Sequence, residues 1–315
     1  YFERHDGQAV TCDDFRHALA DANGRDLAQF ERWYSQAGTP RVSVKTAYDA
    51  AQRRYSVTLT QGYGDSSPAA RDTQKGPLLI PFAIGLIGKD GADLPLRLDG
   101  EAAAGTGTTR VLEFTATEQT FTFVEVADRP LPSLLRNFSA PVIVEYDYTN
   151  EELAFLLAHD SDPFNRWEAG QRLATRELLA LAAHAAAGEP LQLDDAVVAA
   201  FARVLRDETL SPAFRELALM LPAEAYLAEQ MAESNPAAVH RARQFVRNRL
   251  ANALRADWLA IYDRHQTPGA YEATPEASGH RALKNLALSY LAELDDPAEA
   301  VRLAHAQYDA ANNMT

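Results

Sequence analysis

Cysteine is almost absent from the 315-residue sequence, which contains only Cys12. A single thiol cannot form an intramolecular disulfide or supply the thiolates of a metal cluster. Cys12 lies in the first turn of an expected helix, where the helix dipole favours the thiolate, but the neighbouring Asp13 and Asp14 oppose that effect. We therefore interpret Cys12 as a structural residue and expect a reducing, cytoplasmic setting.

Basic residues are fewer than acidic residues. The sequence has 30 Lys and Arg against 44 Asp and Glu, a formal net charge of -14. Such a chain repels phosphate backbones and anionic membrane surfaces, so neither nucleic acid nor a membrane is an expected partner. No apolar run approaches the ~18 to 20 residues of a membrane span, and the first residues given do not show a basic stretch followed by an apolar one. The start at Tyr1, inside a helical pattern, suggests a piece of a longer protein.

The usual catalytic motifs are missing. No H-E-x-x-H zinc motif, G-x-S-x-G elbow or G-x-x-x-x-G-K-[ST] phosphate loop occurs, and no two of the eight histidines are three or four residues apart. Two arrangements come nearest to a ligand set, namely His159 with Asp160 and Asp162, and His305 with Asp309. Helix capping explains the first and a solvated ion pair explains the second better than metal binding does.

Residues 1–40 have the spacing of two short helices. Thr11 is the expected N-cap of the first, with Asp14 in its first turn. The stretch "RDLAQFERWYSQ" predicts the second helix. Gly38 suits its C-terminal cap, and Pro40 prevents the helix from continuing.

Residues 41–148 change to the alternation of strands. We predict an antiparallel β-sandwich of about seven strands. A hairpin turn is expected at Lys89 to Gly91, and a polar surface loop from Gly62 to Gly76. The predicted strands lie in "RVSVKTAY", "RYSVTLTQ", "PLLIPFAIGLIG", "ADLPLRL", "RVLEFTA", "QTFTFVEV" and "PVIVEYDY".

Residues 149–315 contain only helical patterns. Thr149 and Glu152 form an expected capping box, Pro163 suits a first helical turn and Gly188 a helix end. Paired helices of unequal length, without a fixed repeat, predict an all-α irregular solenoid. Further helices are expected at about 194–206, 212–220, 222–232, 236–265, 276–293 and 297–312. The predicted fold class is therefore multidomain β plus α.

One basic run interrupts this acidic sequence, from Arg241 to Arg255 in "HRARQFVRNRLANALR". A solvated helix face is the favoured interpretation. The alternative is a lining that meets a partner surface or a peptide carboxylate.

The order of several motifs resembles the bacterial aminopeptidase N family of gluzincin zinc aminopeptidases over essentially the whole chain. These motifs include "TCDDF", "FERWYSQAGTP", "LLIPFAIGL", "FNRWEAGQ" and "LKNLALSYLA". The most specific is W-x-x-Q-x-G-x-P, formed here by Trp33, Gln36, Gly38 and Pro40. It resembles the signature that closes the thermolysin-like catalytic domain of that family, so we expect a domain seam here.

The resemblance implies that 1–40 are the last helices of a catalytic domain, 41–148 a complete β-sandwich and 149–315 the first part of a C-terminal helical domain. The zinc ligands, the G-x-M-E-N substrate-amine motif and the transition-state Tyr of the family have no counterpart here. We therefore expect no catalytic, substrate-binding or metal residue, and no zinc bound to this chain, although the parent uses zinc to hydrolyse peptides. The expected partner is the remainder of the aminopeptidase.

A free-standing adaptor, in which the sandwich and solenoid bind a protein partner, is the alternative function. The two hypotheses differ in which apolar residues should be exposed. A segment that packs against the remainder of an aminopeptidase should expose Phe15, Phe30, Trp33, Leu303 and Tyr308. An adaptor should have polar helices at both ends.

Overall fold

The computed structural model describes residues 1–63, 75–103, 105 and 107–312. The chain divides into two compact units, Tyr1–Asp147 and Tyr148–Thr315. Most of the loop predicted from Gly62 to Gly76 lies outside the described residues. Among the residues that are described, no helix combines the length and the apolar character needed to cross a bilayer.

The first unit begins with short helices. These are α1 (Phe2–His5), α2 (Cys12–Asn23) and α3 (Arg32–Ser35), the last preceded by a 3-10 turn at Gln29–Glu31. The predicted capping box of α2 is confirmed, because the Thr11 hydroxyl accepts the Asp14 N–H and the Asp14 carboxylate accepts the Thr11 N–H. The second helix is shorter than predicted. Residues 25–28 are not helical, and the Asp26 carboxylate accepts the Ala28 N–H in a local turn that competes with a helix.

Seven strands follow in the described part of this unit, and they form two sheets. The sheet of four has the order β5-β2-β1-β7, and the sheet of three has the order β4-β3-β6. The core consists of the inward-facing side chains of both sheets, with β3 buried along nearly its whole length. The strands are β1 (Arg41–Asp49), β2 (Arg54–Gly62), β3 (Ile80–Ile87), β4 (Arg110–Phe114), β5 (Glu118–Phe123), β6 (Leu131–Leu134) and β7 (Ile143–Glu145).

One pairing departs from the predicted antiparallel arrangement. β7 runs parallel to β1, with Arg41 opposite Ile143 and Ser43 opposite Glu145. The Glu145 carboxylate also accepts hydrogen bonds from the Arg41 guanidinium and the Ser43 hydroxyl, each at 2.7 Å. The other strand pairs are antiparallel.

The strand predicted in "ADLPLRL" is wrong, since this segment makes only isolated bridges. The turn before it is present, with the Gly91 N–H bonded to the Gly88 carbonyl. The segment leaves β3 after Leu94, whose N–H donates to the Leu86 carbonyl at 2.8 Å, and the Asp93 carboxylate binds the buried guanidinium of Arg136 at 2.8 Å. On the opposite edge, β3 pairs with β6, a strand that the sequence pattern did not indicate. β6 contains Pro132, a residue that an edge strand tolerates because one side of its ladder is unpaired.

The second unit is helical throughout its described residues. Two long helices, α5 and α11, lie at its centre. α5 packs against α4, α7, α8 and α9, and α11 packs against α7, α9, α10 and α12. The helices are α4 (Asn150–His159), α5 (Pro163–Ala187), α6 (Asp195–Arg206), α7 (Pro212–Leu219), α8 (Glu224–Glu229), α9 (Pro236–Ala253), α10 (Arg255–Arg264), α11 (Pro275–Leu291) and α12 (Ala298–Asp309).

The residues predicted to begin and end α4 and α5 are confirmed in those positions. Thr149 and Glu152 form a complete capping box, Pro163 occupies the first turn of α5, and Gly188 ends α5 in a left-handed conformation. The single helix predicted over 236–265 is wrong, because it breaks at Leu254 into α9 and α10. The break leaves the Leu250 carbonyl accessible to a second donor, the indole N–H of Trp258 at 3.2 Å.

Candidate functional site

The predicted seam residue Trp33 anchors the helical segment to the sandwich within the first unit. Its indole N–H donates to the Leu79 carbonyl at 2.8 Å. One turn earlier, the Gln29 side-chain amide donates to the Pro77 carbonyl at 3.0 Å and to the Thr115 carbonyl at 2.6 Å. The three acceptors are backbone carbonyls that lie just before β3 and just after β4. The helical turn therefore donates hydrogen bonds to backbone carbonyls of the sandwich that lie outside the strand ladders.

The rest of the signature forms the turn into β1. Gln36, rather than the predicted Gly38, caps α3, with its N–H bonded to the Arg32 carbonyl at 2.9 Å. Gly38 lies two residues further on with a φ of 102°, a conformation that favours glycine. Pro40 is buried, and its carbonyl accepts the Ile143 N–H at 3.0 Å.

The apolar residues expected to be exposed divide into two groups. Phe15 is 42% exposed and Tyr308 is 81% exposed, as the segment hypothesis requires. Phe30 and Trp33 are half-buried, since the helical turn that carries them packs on the sandwich. Leu303 is buried, so that expectation is wrong.

The arginines from Arg241 to Arg255 are used inside the helical unit. Arg243 and Arg247 are half-buried and donate to the Pro222 and Ser289 carbonyls, so a simple solvated face is the wrong interpretation for them. The more exposed arginines also have partners. Arg241 donates to the Ala185 carbonyl, Arg249 pairs with Asp195, and Arg255 pairs with Glu299.

The described residues do not fit a zinc site. None of them form a group of three or more His, Cys, Asp or Glu side chains that could hold a metal ion. Asp162 caps α5 as expected, accepting the Asn165 N–H at 2.9 Å. The nearby His159 ring stacks on Phe155, with ring centroids 4.4 Å apart.

A buried chain of polar side chains joins three helices in the second unit, and the sequence analysis missed it. Arg215 of α7 contacts Nε2 of His265 at 3.2 Å. Nδ1 of His265, at the end of α10, lies 2.6 Å from Nδ1 of His280 on α11. Arg215 and His265 are only 4% and 3% exposed. The residues are 50 and 15 positions apart in the sequence, so no local pattern could have indicated the cluster.

These contacts fix the protons of both imidazoles. A guanidinium can only donate, so Nε2 of His265 is the acceptor and its proton is on Nδ1. That proton points to Nδ1 of His280, which must accept it and therefore has its own proton on Nε2. Burial lowers the pKa of His265 to about 4, helped by the charge of Arg215 and by His280 and Arg264.

Two family models match the chain. One, described as "Domain of unknown function (DUF3458) Ig-like fold", covers residues 38–147. The other, described as "Domain of unknown function (DUF3458_C) ARM repeats", covers residues 150–315. An Ig-like β domain followed by an ARM-like helical region confirms the predicted multidomain β plus α fold class.

Three curated relatives match this chain over its whole length. Aminopeptidase N of Escherichia coli (strain K12) is 40% identical over 316 residues, and aminopeptidase N of Caulobacter vibrioides is 38% identical. The Haemophilus influenzae aminopeptidase N is 35% identical over 315 residues. Each match includes 100% of this chain but only 34% or 35% of the relative. The chain therefore spans about a third of the length of these relatives.

A solved structure shows the same relation. Legionella pneumophila aminopeptidase A, in complex with aspartic acid, superposes with a TM-score of 0.81 at 26% identity. The match covers 100% of this chain and 35% of the Legionella chain. The chain thus belongs to the DUF3458_C family, and along its whole length it is homologous to one segment of aminopeptidase N.

Proposed function

We propose that this chain is a noncatalytic, structural portion of a zinc aminopeptidase that removes N-terminal amino acids from peptides. The observation that carries this proposal is the homology over the full chain, which reaches 40% identity with aminopeptidase N but involves only about a third of that enzyme. The chemistry then belongs to the remainder of the parent protein. The free-standing adaptor is not favoured, because the curated relatives that match the whole chain are aminopeptidases.

Each segment has a proposed role in the parent enzyme. Residues 1–40 are the last helices of the catalytic domain, 41–148 are a spacer sandwich, and 149–315 begin the helical domain that forms one wall of the active-site chamber. The contacts of Trp33 support a seam between the first two segments, since its indole N–H reaches a sandwich carbonyl. Exposed Phe15 then belongs to a surface that packs against the upstream catalytic half of the enzyme.

Zinc belongs to the upstream part of the parent in this proposal. When bound there, the metal would supply a Lewis acid that polarises the scissile carbonyl and acidifies a water. Because the described residues here offer no set of three ligands, we expect the isolated chain to bind no stoichiometric zinc and to cleave no peptide. A cytoplasmic setting remains our expectation, from the single cysteine.

The gene itself gives the first test. Reading the sequence upstream of the codon for Tyr1 should reveal H-E-x-x-H followed by a further glutamate ligand. A gene that lacks this motif would refute the assignment.

Reconstitution gives the biochemical test. The purified chain is mixed with a polypeptide encoded by the upstream part of the same gene, and an aminoacyl p-nitroanilide reports activity. We expect a complex by size exclusion and activity that a chelator removes, whereas the chain alone should give neither activity nor zinc by elemental analysis. In the control, the glutamate of the upstream H-E-x-x-H motif is changed to glutamine, which should retain the complex and abolish activity. Zinc and activity in the isolated chain would contradict the proposal.

A further inference from the structure

A cavity of about 360 Å³ opens in the helical unit between the C-terminal end of α10 and the N-terminal end of α11. We call it the Arg281 cavity. Its volume lies at the lower end of the range for small-molecule sites. Its lining includes Arg264, Tyr271, Thr274, His280 and Arg281.

Arg281 is a buried cation without a counter-anion. Arg281 is only 6% exposed, and one of its guanidinium nitrogens donates to the Glu272 carbonyl at 3.1 Å. The guanidinium carbon also lies 4.7 Å from the centre of the Tyr271 ring. Its Nε has no hydrogen-bond partner, and no carboxylate of the described residues lies within 4.0 Å of the guanidinium nitrogens. A buried, unpaired charge is costly, so this arrangement favours a ligand of opposite charge.

Two features near Arg281, a lysine and a helix N-terminus, add positive potential. Lys284 lies one helical turn further along α11, and burial together with the charge of Arg281 lowers its pKa. The N-terminus of α11 faces the same cavity, with Thr274 as its N-cap and a helix of 17 residues behind it. Pro275 has no N–H, and the Thr274 hydroxyl accepts the Ala277 N–H, so the first turn offers the N–H of Glu276 together with the helix dipole, which favours an anion.

His280 contributes a donor. The hydrogen bond from His265 uses Nδ1 of His280 as an acceptor, so the Nε2 of this cavity-lining residue carries the proton. The exposed Glu272 and Glu276 side chains also line the cavity. Their carboxylates repel an anion, so they weaken its binding in proportion to its charge.

We propose that the Arg281 cavity binds a small oxyanion, a carboxylate or phosphate group, with the Arg281 guanidinium as its main donor. A planar guanidinium suits both groups, because each presents two oxygens to its fork of N–H donors. The N–H of Glu276, in the first turn of α11, and Nε2–H of His280 complete the set of donors.

Thermal unfolding of the 315-residue chain tests this proposal. The melting temperature is measured in increasing sodium phosphate and, separately, sodium acetate, each against sodium chloride at equal ionic strength. We expect a saturable rise of about 3 °C or more at ten times Kd for at least one oxyanion. Whichever salt gives the rise identifies the group. No rise beyond that in chloride for either oxyanion would overturn the proposal.

Variants separate a site from a general salt effect, since phosphate stabilises many proteins without binding. Arg281→Met should abolish the rise while leaving the melting temperature in chloride unchanged or higher, because it removes an unpaired buried charge. The matched control is Arg249→Met, at an exposed arginine paired with Asp195, which should keep the rise. A rise that persists in Arg281→Met would refute the assignment.

Arg281→Lys provides a second variant if the methionine variant does not fold. It keeps the charge but loses the fork of donors, so Kd for the oxyanion should increase at least ~5-fold, an effect of about 1 kcal/mol by the usual conversion. An unchanged Kd by titration calorimetry would also contradict the proposal.

Discussion

The stability of the helical unit should depend on pH through His265. This imidazole is 3% exposed, accepts a hydrogen bond from Arg215 on one nitrogen and donates to His280 from the other. Protonation would place a second N–H against the Arg215 guanidinium, with Arg264 adding to the repulsion. Folding therefore holds His265 in its neutral form.

The direction of this pH dependence follows from the number of protons that the folded and unfolded chains bind. Between pH 6.5 and about 4 the unfolded chain binds a proton at His265 that the folded chain does not, so the free energy of unfolding falls as the pH falls through this window. The contribution of His265 is fully retained above pH 6.5. At 1.36 kcal/mol per unit of pKa difference, the loss by pH 4 is at most about 3 kcal/mol.

Urea unfolding from pH 4 to 7.5, followed by circular dichroism at 222 nm, measures this effect. His265→Gln is the test variant, because its amide can accept from Arg215 and donate to His280 but does not titrate in this range. We expect the variant to lose most of the pH dependence. His305→Gln, at an exposed histidine of α12, is the matched control and should behave like the native chain. Equal pH profiles for His265→Gln and the native chain would refute the reasoning.

Three further substitutions test the seam and the helix caps, each by urea denaturation of the chain. Trp33→Phe removes the indole donor to the Leu79 carbonyl and should lower the stability of the first unit by about 1 kcal/mol. Gly38→Ala forces a side chain into a φ of 102° and should cost about 1 kcal/mol or more, whereas no loss would show that the turn can rearrange. Thr149→Ala breaks the capping box with Glu152 and should destabilise the helical unit by about 1 kcal/mol, with an unchanged midpoint as the contrary result.

The features that the sequence predicted well depend on neighbouring residues. Thr149 and Glu152 are three positions apart and form their capping box without help from the rest of the fold. Pro163 and Gly188 likewise act through their own backbone preferences at the two ends of α5. Strands with strict alternation, such as β1 and β2, were also identified because one face of each is buried.

The features that could not be predicted from the sequence depend on tertiary packing. Leu254 continues the apolar spacing of α9, yet that helix ends there with a φ of -114°, and the Leu250 carbonyl accepts both the Leu254 N–H and the indole N–H of Trp258. Leu131–Leu134 contains a proline and lacks clear alternation, so only its pairing with β3 reveals it as a strand. His265 and His280 meet because α10 and α11 pack together, and no spacing rule relates them.

The parallel pairing of β1 with β7 has a mechanical consequence. The chain enters the sandwich at Arg41 and leaves it just after Glu145, and these two ends lie on adjacent strands that run in the same direction. Tension applied to the chain before Arg41 and after Glu145 would pull the two strands past each other. The backbone bonds of this pairing and the Arg41–Glu145 ion pair would then bear the load together in shear rather than break one after another. This shear arrangement resists extension along the chain more than a pairing whose bonds open one at a time would.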